Sequence, residues 1–355
     1  MIRTVPWNRL RVDSSTSIIL SRHFSYVILA VVLTFHLIGN VVWILLNKTP
    51  LSWDEAYHIT RSIQFAQFIQ GVFGGRPDWG LVWHTLRNGY GPLPPFLYGT
   101  FMYFAGAGTP QTQIISTAVF LGTVFSVFLL VKAISHDASV SVTSAVIFSL
   151  YQLVYAQSRW PLLDLPITLF ITLAFYFLAR SDFDLAPKDI LIAGVLGGLA
   201  MLTKAQAGIY FVIPIFFLAW YAIKEHTFLR TVPKIALFGA IVLFMFCLWA
   251  VPNLQYVYRY LESGIKIRLN HPDNLARLET WLFYLKMVIN NITTLWGFIL
   301  LVPAMLVYAN NSVNRRRAHV LGMLGGYYIL FTLISNKDLR YSWPLCQDHE
   351  SVKIR

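Results

Sequence analysis

The chain has 355 residues, of which 56% are hydrophobic and only 12% charged, where a soluble domain carries about 25% charged residues. That balance excludes a soluble enzyme or binding module and describes an integral membrane protein of many helical spans. The net charge of +12 does not imply a nucleic-acid partner, because in such a chain basic residues gather in cytoplasmic loops.

Residues 1–23 are polar and basic, with Arg3, Arg9, Arg11 and Arg22, and form a cytoplasmic N-terminal segment. A first span is predicted at about 24–46. It is too long for the apolar region of a signal peptide and no small-residue cleavage site follows, so it reads as a retained anchor. Residues 47–112 form an outer loop with interfacial helices, one of them the amphipathic stretch 59–73, where Arg61 and three glutamines face Ile63, Phe65 and Phe68. This loop opens on Trp53-Asp54-Glu55-Ala56-Tyr57-His58, ionisable groups that are costly beside a bilayer unless they face water or serve a function.

A short apolar run follows Pro94-Pro95 and decides the topology. If it spans, the basic loops 224–234 and 310–319 fall outside; if it lies on the surface, both fall inside, as the positive-inside rule requires. The second arrangement predicts further spans at about 113–131, 140–156, 165–179, 189–203, 208–223, 235–252, 283–307 and 319–335. The fold class expected is therefore an all-α polytopic membrane protein of about nine spans plus interfacial helices. Its membrane domain covers 24–345, and a polar tail, 346–355, follows where an apolar run would be expected and reads as a truncation. Two cysteines, Cys247 and Cys346, give no disulfide framework and no cysteine-rich metal site.

In this topology the charged motifs converge on one face. Paired carboxylate and cations at a bilayer surface suit transfer of a group from a lipid phosphate. A carboxylate takes the proton of an attacking hydroxyl, and cations stabilise the departing phosphate. Asp54 is the expected base, with Glu55 beside it to tune or position it. Arg159, Lys204 and Arg340 are the expected phosphate partners, and Asp164 would orient an arginine or help hold a cation. Tyr57 and Tyr341 have supporting places next to these groups. Each residue also has a plainer reading. Asp164 suits a helix N-terminus, Lys204 can snorkel at a span end, and Arg340-Tyr341 can anchor an interface. His58, His84 and His271 read as loop residues rather than metal ligands. Asn47-Lys48-Thr49 fits a glycosylation sequon. Gly194, Gly197 and Gly198 read as close helix packing, since no strand precedes them to make a nucleotide loop.

The same motifs, in the same order, resemble the polyprenyl-phosphate-sugar-dependent membrane glycosyltransferases of the GT-C fold, which include the protein O-mannosyltransferases and the aminoarabinose transferases. The resemblance rests on the Asp54-Glu55 pair, Pro94-Pro95-Phe96-Leu97-Tyr98, Ser158-Arg159 with Leu163-Asp164-Leu165-Pro166, Gly197-Gly198-Leu199-Ala200 with Leu202-Thr203-Lys204, and Lys337 with Arg340-Tyr341 and Pro344. It implies Asp54 as catalytic base, an inverting reaction, and a polyprenyl-phosphate-linked sugar donor. The acceptor would be a lipid, glycan or protein. The site would lie on the outer (periplasmic) face of a plasma (inner) membrane. No cofactor follows with certainty. A divalent metal has a place in some members, but the acidic-Lys or His that precedes Pro-Pro there is replaced here by Gly91-Pro92-Leu93. Tyr57 stands where the aminoarabinose transferases have an arginine. The rival reading is a transporter or flippase of lipid-linked sugars, which would place its ionisable groups near the membrane midplane with repeat symmetry.

Overall fold

The computed structural model describes residues 14–87, 90–180, 186–224, 227–259, 262, 278–287 and 289. Among them every element is helical. In chain order these are α1 (Ser14–Leu46), α2 (Trp53–Phe73), α3 (Trp79–Leu86), α4 (Leu93–Ala105), α5 (Thr109–Ser135), α6 (Ala138–Leu150), α7 (Gln152–Gln157), α8 (Asp164–Ala179), α9 (Pro187–Thr203), a 3-10 turn (Ala205–Gly208), α10 (Ile209–Lys224), α11 (Phe228–Ala250) and α12 (Leu278–Met287). Among the described residues three stretches are long and apolar enough to cross a bilayer by themselves: His23–Leu46, Thr109–Ser135 and Phe228–Ala250. The predicted spans 283–307 and 319–335 lie outside the described residues, apart from the end of α12 and Ile289.

The helices alternate in direction, and their contacts fix two ends. At one end the Arg180 and Asp189 side chains pair at 3.4 Å across the α8–α9 connection, and Lys132 of α5 meets the Tyr26 hydroxyl of α1. At the other end Lys204 meets Asp164, and Trp249 of α11 donates to the Leu86 carbonyl of α3 at 3.1 Å. The segments α2 to α4 cap this second end.

Two apolar cores share α8. Leu163, Ile167, Ile171 and Ala174 of α8 pack with Ile190, Ala193 and Ala200 of α9 and with Phe211, Phe238 and Val242 of α10 and α11. Leu165, two residues along from Leu163 and so turned to another face, packs with Leu29, Tyr98, Phe120, Val124 and Phe128 in a core of α1, α4, α5 and α6. Outside these cores α1 and α11 expose Phe24, Val31, Phe35, Leu45, Leu243, Phe244 and Leu248. So continuous an apolar exterior is what lipid contact requires.

α4 is the element on which the topology turned. Its 13 residues rise about 20 Å, short of a hydrocarbon core of about 30 Å. It packs along α2 instead. The Phe65 and Phe96 rings stack at 4.3 Å and those of Phe73 and Tyr103 at 5.4 Å. Tyr98, 1% exposed, shares a hydrogen bond of 3.2 Å with Ser116 of α5. The short apolar run is thus a packed cap helix.

Two local differences from expectation stand out. The acidic pair belongs to a helix rather than to an irregular loop, since α2 begins at Trp53. The predicted span 140–156 is broken at Tyr151, whose extended ψ of 125° ends α6 before α7 resumes. The break follows from tertiary bonds at its two sides. Ser149 bonds His36 of α1 at 2.9 Å, and Ser158 bonds Asn40 of α1 at 3.0 Å.

Candidate active site

The N-terminus of α2 organises the site. Ser52 is extended (φ −72°, ψ 170°), and its backbone N–H donates to Glu55 Oε2 at 2.8 Å, the reciprocal half of a capping box. Glu55 is thereby buried and turned back on its own helix end. Burial holds its carboxyl above the usual range, against the opposing pull of the Ser52 bonds. Asp54, one position earlier, points about 100° away and is half-buried. The two acids therefore have separate surroundings: Glu55 shapes the helix start, and Asp54 lies on another face of α2.

Positions 54, 57, 58 and 61 recur at three- and four-residue steps, so Asp54, Tyr57, His58 and Arg61 share one face of α2. His58 is 7% exposed and its ring meets those of Tyr57 and Tyr90 at 5.4 and 5.5 Å. Burial lowers its pKa to about 4, helped by the charges of Arg61 and Lys204 and opposed by Asp54, so His58 is neutral at pH 7. Asp54, Arg61 and Lys204 thus all lie within electrostatic reach of one ring. Arg61 is 3% exposed, with Nη1 3.4 Å from the Tyr57 hydroxyl and its guanidinium over the Tyr57 ring.

Lys204 arrives from the far half of the chain. It leaves the end of α9 in an extended conformation (φ −159°, ψ 126°), and its Nζ lies 3.7 Å from Asp164 Oδ1 at the start of α8. Gly91 joins this pair to the α2 side. A Cβ there would lie 1.7 Å from the Leu202 carbonyl oxygen, so only glycine lets the loop before α4 rest on the end of α9. Tyr90 is carried by the same contact into the α8–α9 core and against His58.

Arg159 stands near the C-terminal end of α1. Its guanidinium lies between the rings of Trp43 and Tyr155, at 4.6 and 4.5 Å. Its buried Nε has no hydrogen-bond partner among the described residues, and desolvation lowers its pKa. Ser158, fully buried, bonds Asn40 of α1 and so fixes the arginine beside it.

Of the residues singled out from the sequence, Tyr57 touches the His58 ring, Asp54 and Lys204 act on it electrostatically, and Asp164 is tied to this group through Lys204. Glu55 is drawn into the helix cap, and Arg159 is held at the same end by aromatic stacking. Arg340 and Tyr341 lie outside the described residues, as does His271. His84 bonds Gln64 at 3.2 Å and lies on α3. Among the described residues no group of three His, Cys, Asp or Glu side chains assembles into a metal cage. Sequence reasoning set His58 aside as a loop residue and gave Arg61 and Tyr90 no place in the site. The signal was present in the 54, 58, 61 spacing, which marks one helix face before the structure shows what covers it.

The comparisons agree with this architecture. Residues 90–249 match the family model described as dolichyl-phosphate-mannose-protein mannosyltransferase. The matched stretch contains Tyr90, Arg159, Asp164 and Lys204, while Asp54 to Arg61 precede it. The fold is similar to the protein O-mannosyltransferase Pmt1–Pmt2 complex of S. cerevisiae bound to the sugar donor, with a TM-score of 0.50 and 14% identity over 68% of this chain. The matched part covers 36% of that yeast chain. No curated protein sequence matches the chain. The chain therefore has the GT-C fold of the membrane glycosyltransferases, with the dolichyl-phosphate-mannose-protein mannosyltransferase family model running through residues 90–249.

Proposed function

We propose that the protein transfers a sugar from a lipid-linked phosphate donor to an acceptor hydroxyl, with inversion, at the outer face of a plasma membrane. The observation that carries this reading is that Asp54 and Lys204, the latter 3.7 Å from Asp164, both act electrostatically on the buried ring of His58. Asp54 takes the acceptor's hydroxyl proton as the oxygen forms its bond to the anomeric carbon. The bond from that carbon to the phosphate oxygen breaks, and its electron pair leaves with the phosphate. Lys204 offers a cation to that developing charge, and Arg159 offers a second from the end of α1. Asp164 restrains Lys204 until the donor arrives. Glu55 positions Asp54 by capping the helix that carries it. Arg340 and Tyr341 complete the phosphate side in this reading, on the strength of the sequence motif. The acceptor is a lipid, glycan or protein hydroxyl.

The test uses the full chain reconstituted in vesicles with a panel of polyprenyl-phosphate sugars, reading released polyprenyl phosphate. Asp54→Asn is expected to insert normally and to lose about 100- to 10,000-fold in rate. Turnover by that variant equal to wild type would overturn Asp54 as base.

A further inference from the structure

Arg61 is 3% exposed, yet its Nε and Nη2 have no hydrogen-bond partner among the described residues. The partners it does have are neutral: the hydroxyl and ring of Tyr57. A charge so deeply buried is normally paired, because desolvation is otherwise uncompensated. Nε and Nη2 are the two nitrogens of one guanidinium edge. Their N–H bonds run parallel and match two oxygens of an oxyanion. The empty capacity is thus a bidentate edge rather than a scattered pair of atoms.

The guanidinium lies on the site's face of α2. Side chains on a helix lean toward its N-terminus, and the Arg61–Tyr57 contact one turn back shows that lean. The guanidinium is carried toward the turns holding His58 and Asp54. Lys204, the other cation acting on His58, already has Asp164 at 3.7 Å, whereas the Arg61 edge is unspent. A carboxylate would use both its oxygens on the edge. A phosphate fills the edge with two oxygens and keeps others for a second donor.

We propose that the Nε–Nη2 edge of Arg61 is a bidentate site for a phosphate oxyanion beside Asp54. The proposal rests on the transferase reading only in its source: there the phosphate is that of the lipid carrier, and inorganic phosphate presents the same oxygens.

Calorimetric titration of the purified full chain with inorganic phosphate, and separately with a short-chain polyprenyl monophosphate, tests it. Arg61→Met is expected to weaken both at least about tenfold, and Arg61→Lys, which keeps the charge but loses the edge, to fall between. Asp54→Asn binds both probes at least as well as wild type. Tighter binding of the lipid probe assigns the site to the carrier; equal binding assigns it to phosphate alone. Without ligand, Arg61→Met is expected to melt no lower than wild type, because an unpaired buried cation is replaced by an apolar chain of similar reach. A lower melting temperature, or phosphate binding indifferent to Arg61, overturns the proposal. Arg61-dependent phosphate binding in a protein that turns over no lipid-linked sugar would sink the transferase reading and leave this site standing. Sugar transfer with Arg61-independent binding would do the reverse.

Discussion

His58 illustrates how a single side chain couples stability to pH at this site. Its folded pKa of about 4 lies below the ordinary 6.5, so the unfolded chain takes up a proton that the folded chain refuses. Stability contributed by neutral His58 is fully present above about pH 6.5, falls as pH is lowered through the window to about 4, and levels off below it. The loss amounts to about 3 kcal/mol at most. Melting His58→Gln in detergent between pH 7 and 4.5 is expected to show a shallower acid limb than wild type; parallel limbs would assign the acid sensitivity elsewhere. The sequence shows His58 only as a loop residue and Arg61 only as a polar position on an amphipathic helix. Whether such a face meets water or another part of the protein is decided by what packs there, and here Tyr90 covers it.

Close approach of backbones governs the elements. α9 and α11 run parallel because α10 returns between them, and the glycine stripe of α9 is what lets them touch. A Cβ at Gly194 would lie 2.9 Å from Ile241, and one at Gly198 2.5 Å from Met245. That reading, close packing rather than nucleotide binding, is available from the sequence. Gly91 is not so readily seen, since the contact it allows is with Leu202, more than a hundred residues on. Gly91→Ala is expected to push the α4 loop off the end of α9, destabilising the fold by about 1–3 kcal/mol. It should also cost more activity than stability, since Tyr90 and Lys204 move with it. Melting temperature and sugar release measured on one preparation check this, and an unaltered melt would contradict the contact. The break at Tyr151 is likewise invisible in a continuous apolar run, because it is imposed by His36 and Asn40 of a distant helix.

At the scale of the whole molecule, alternation of the helices places α2, the Ser158–Asp164 segment and Lys204 at one end, and Lys132 with the Arg180–Asp189 pair at the other. Cysteines introduced at Arg76 and Ser139, both exposed, report opposite ends. In right-side-out vesicles of a chain lacking Cys247 and Cys346, a membrane-impermeant thiol reagent is expected to label Arg76→Cys and to reach Ser139→Cys only after permeabilisation. Equal labelling of both would remove the topology on which the outer-face reading depends. The interior between the ends is not purely apolar. His36, Asn40, Thr117, Ser149 and Ser158 form a buried hydrogen-bonded ladder from α1 to the Arg159 segment. It ties the position of a surface cation to the packing of the first span.

The sequence by itself determined the class of the protein, because apolar composition and the distribution of basic loops are summed along the chain and need no coordinates. It also favoured a re-entrant or surface position for the α4 run, through charge asymmetry alone, and singled out Asp54, Arg159, Asp164 and Lys204. Only the tertiary structure decided their surroundings. It drew Glu55 into a helix cap, paired Lys204 with Asp164, sealed His58 neutral beneath Tyr90, and left one edge of Arg61 buried and unpaired. Burial and partnership are properties of what arrives from elsewhere in the chain, and local spacing does not encode them.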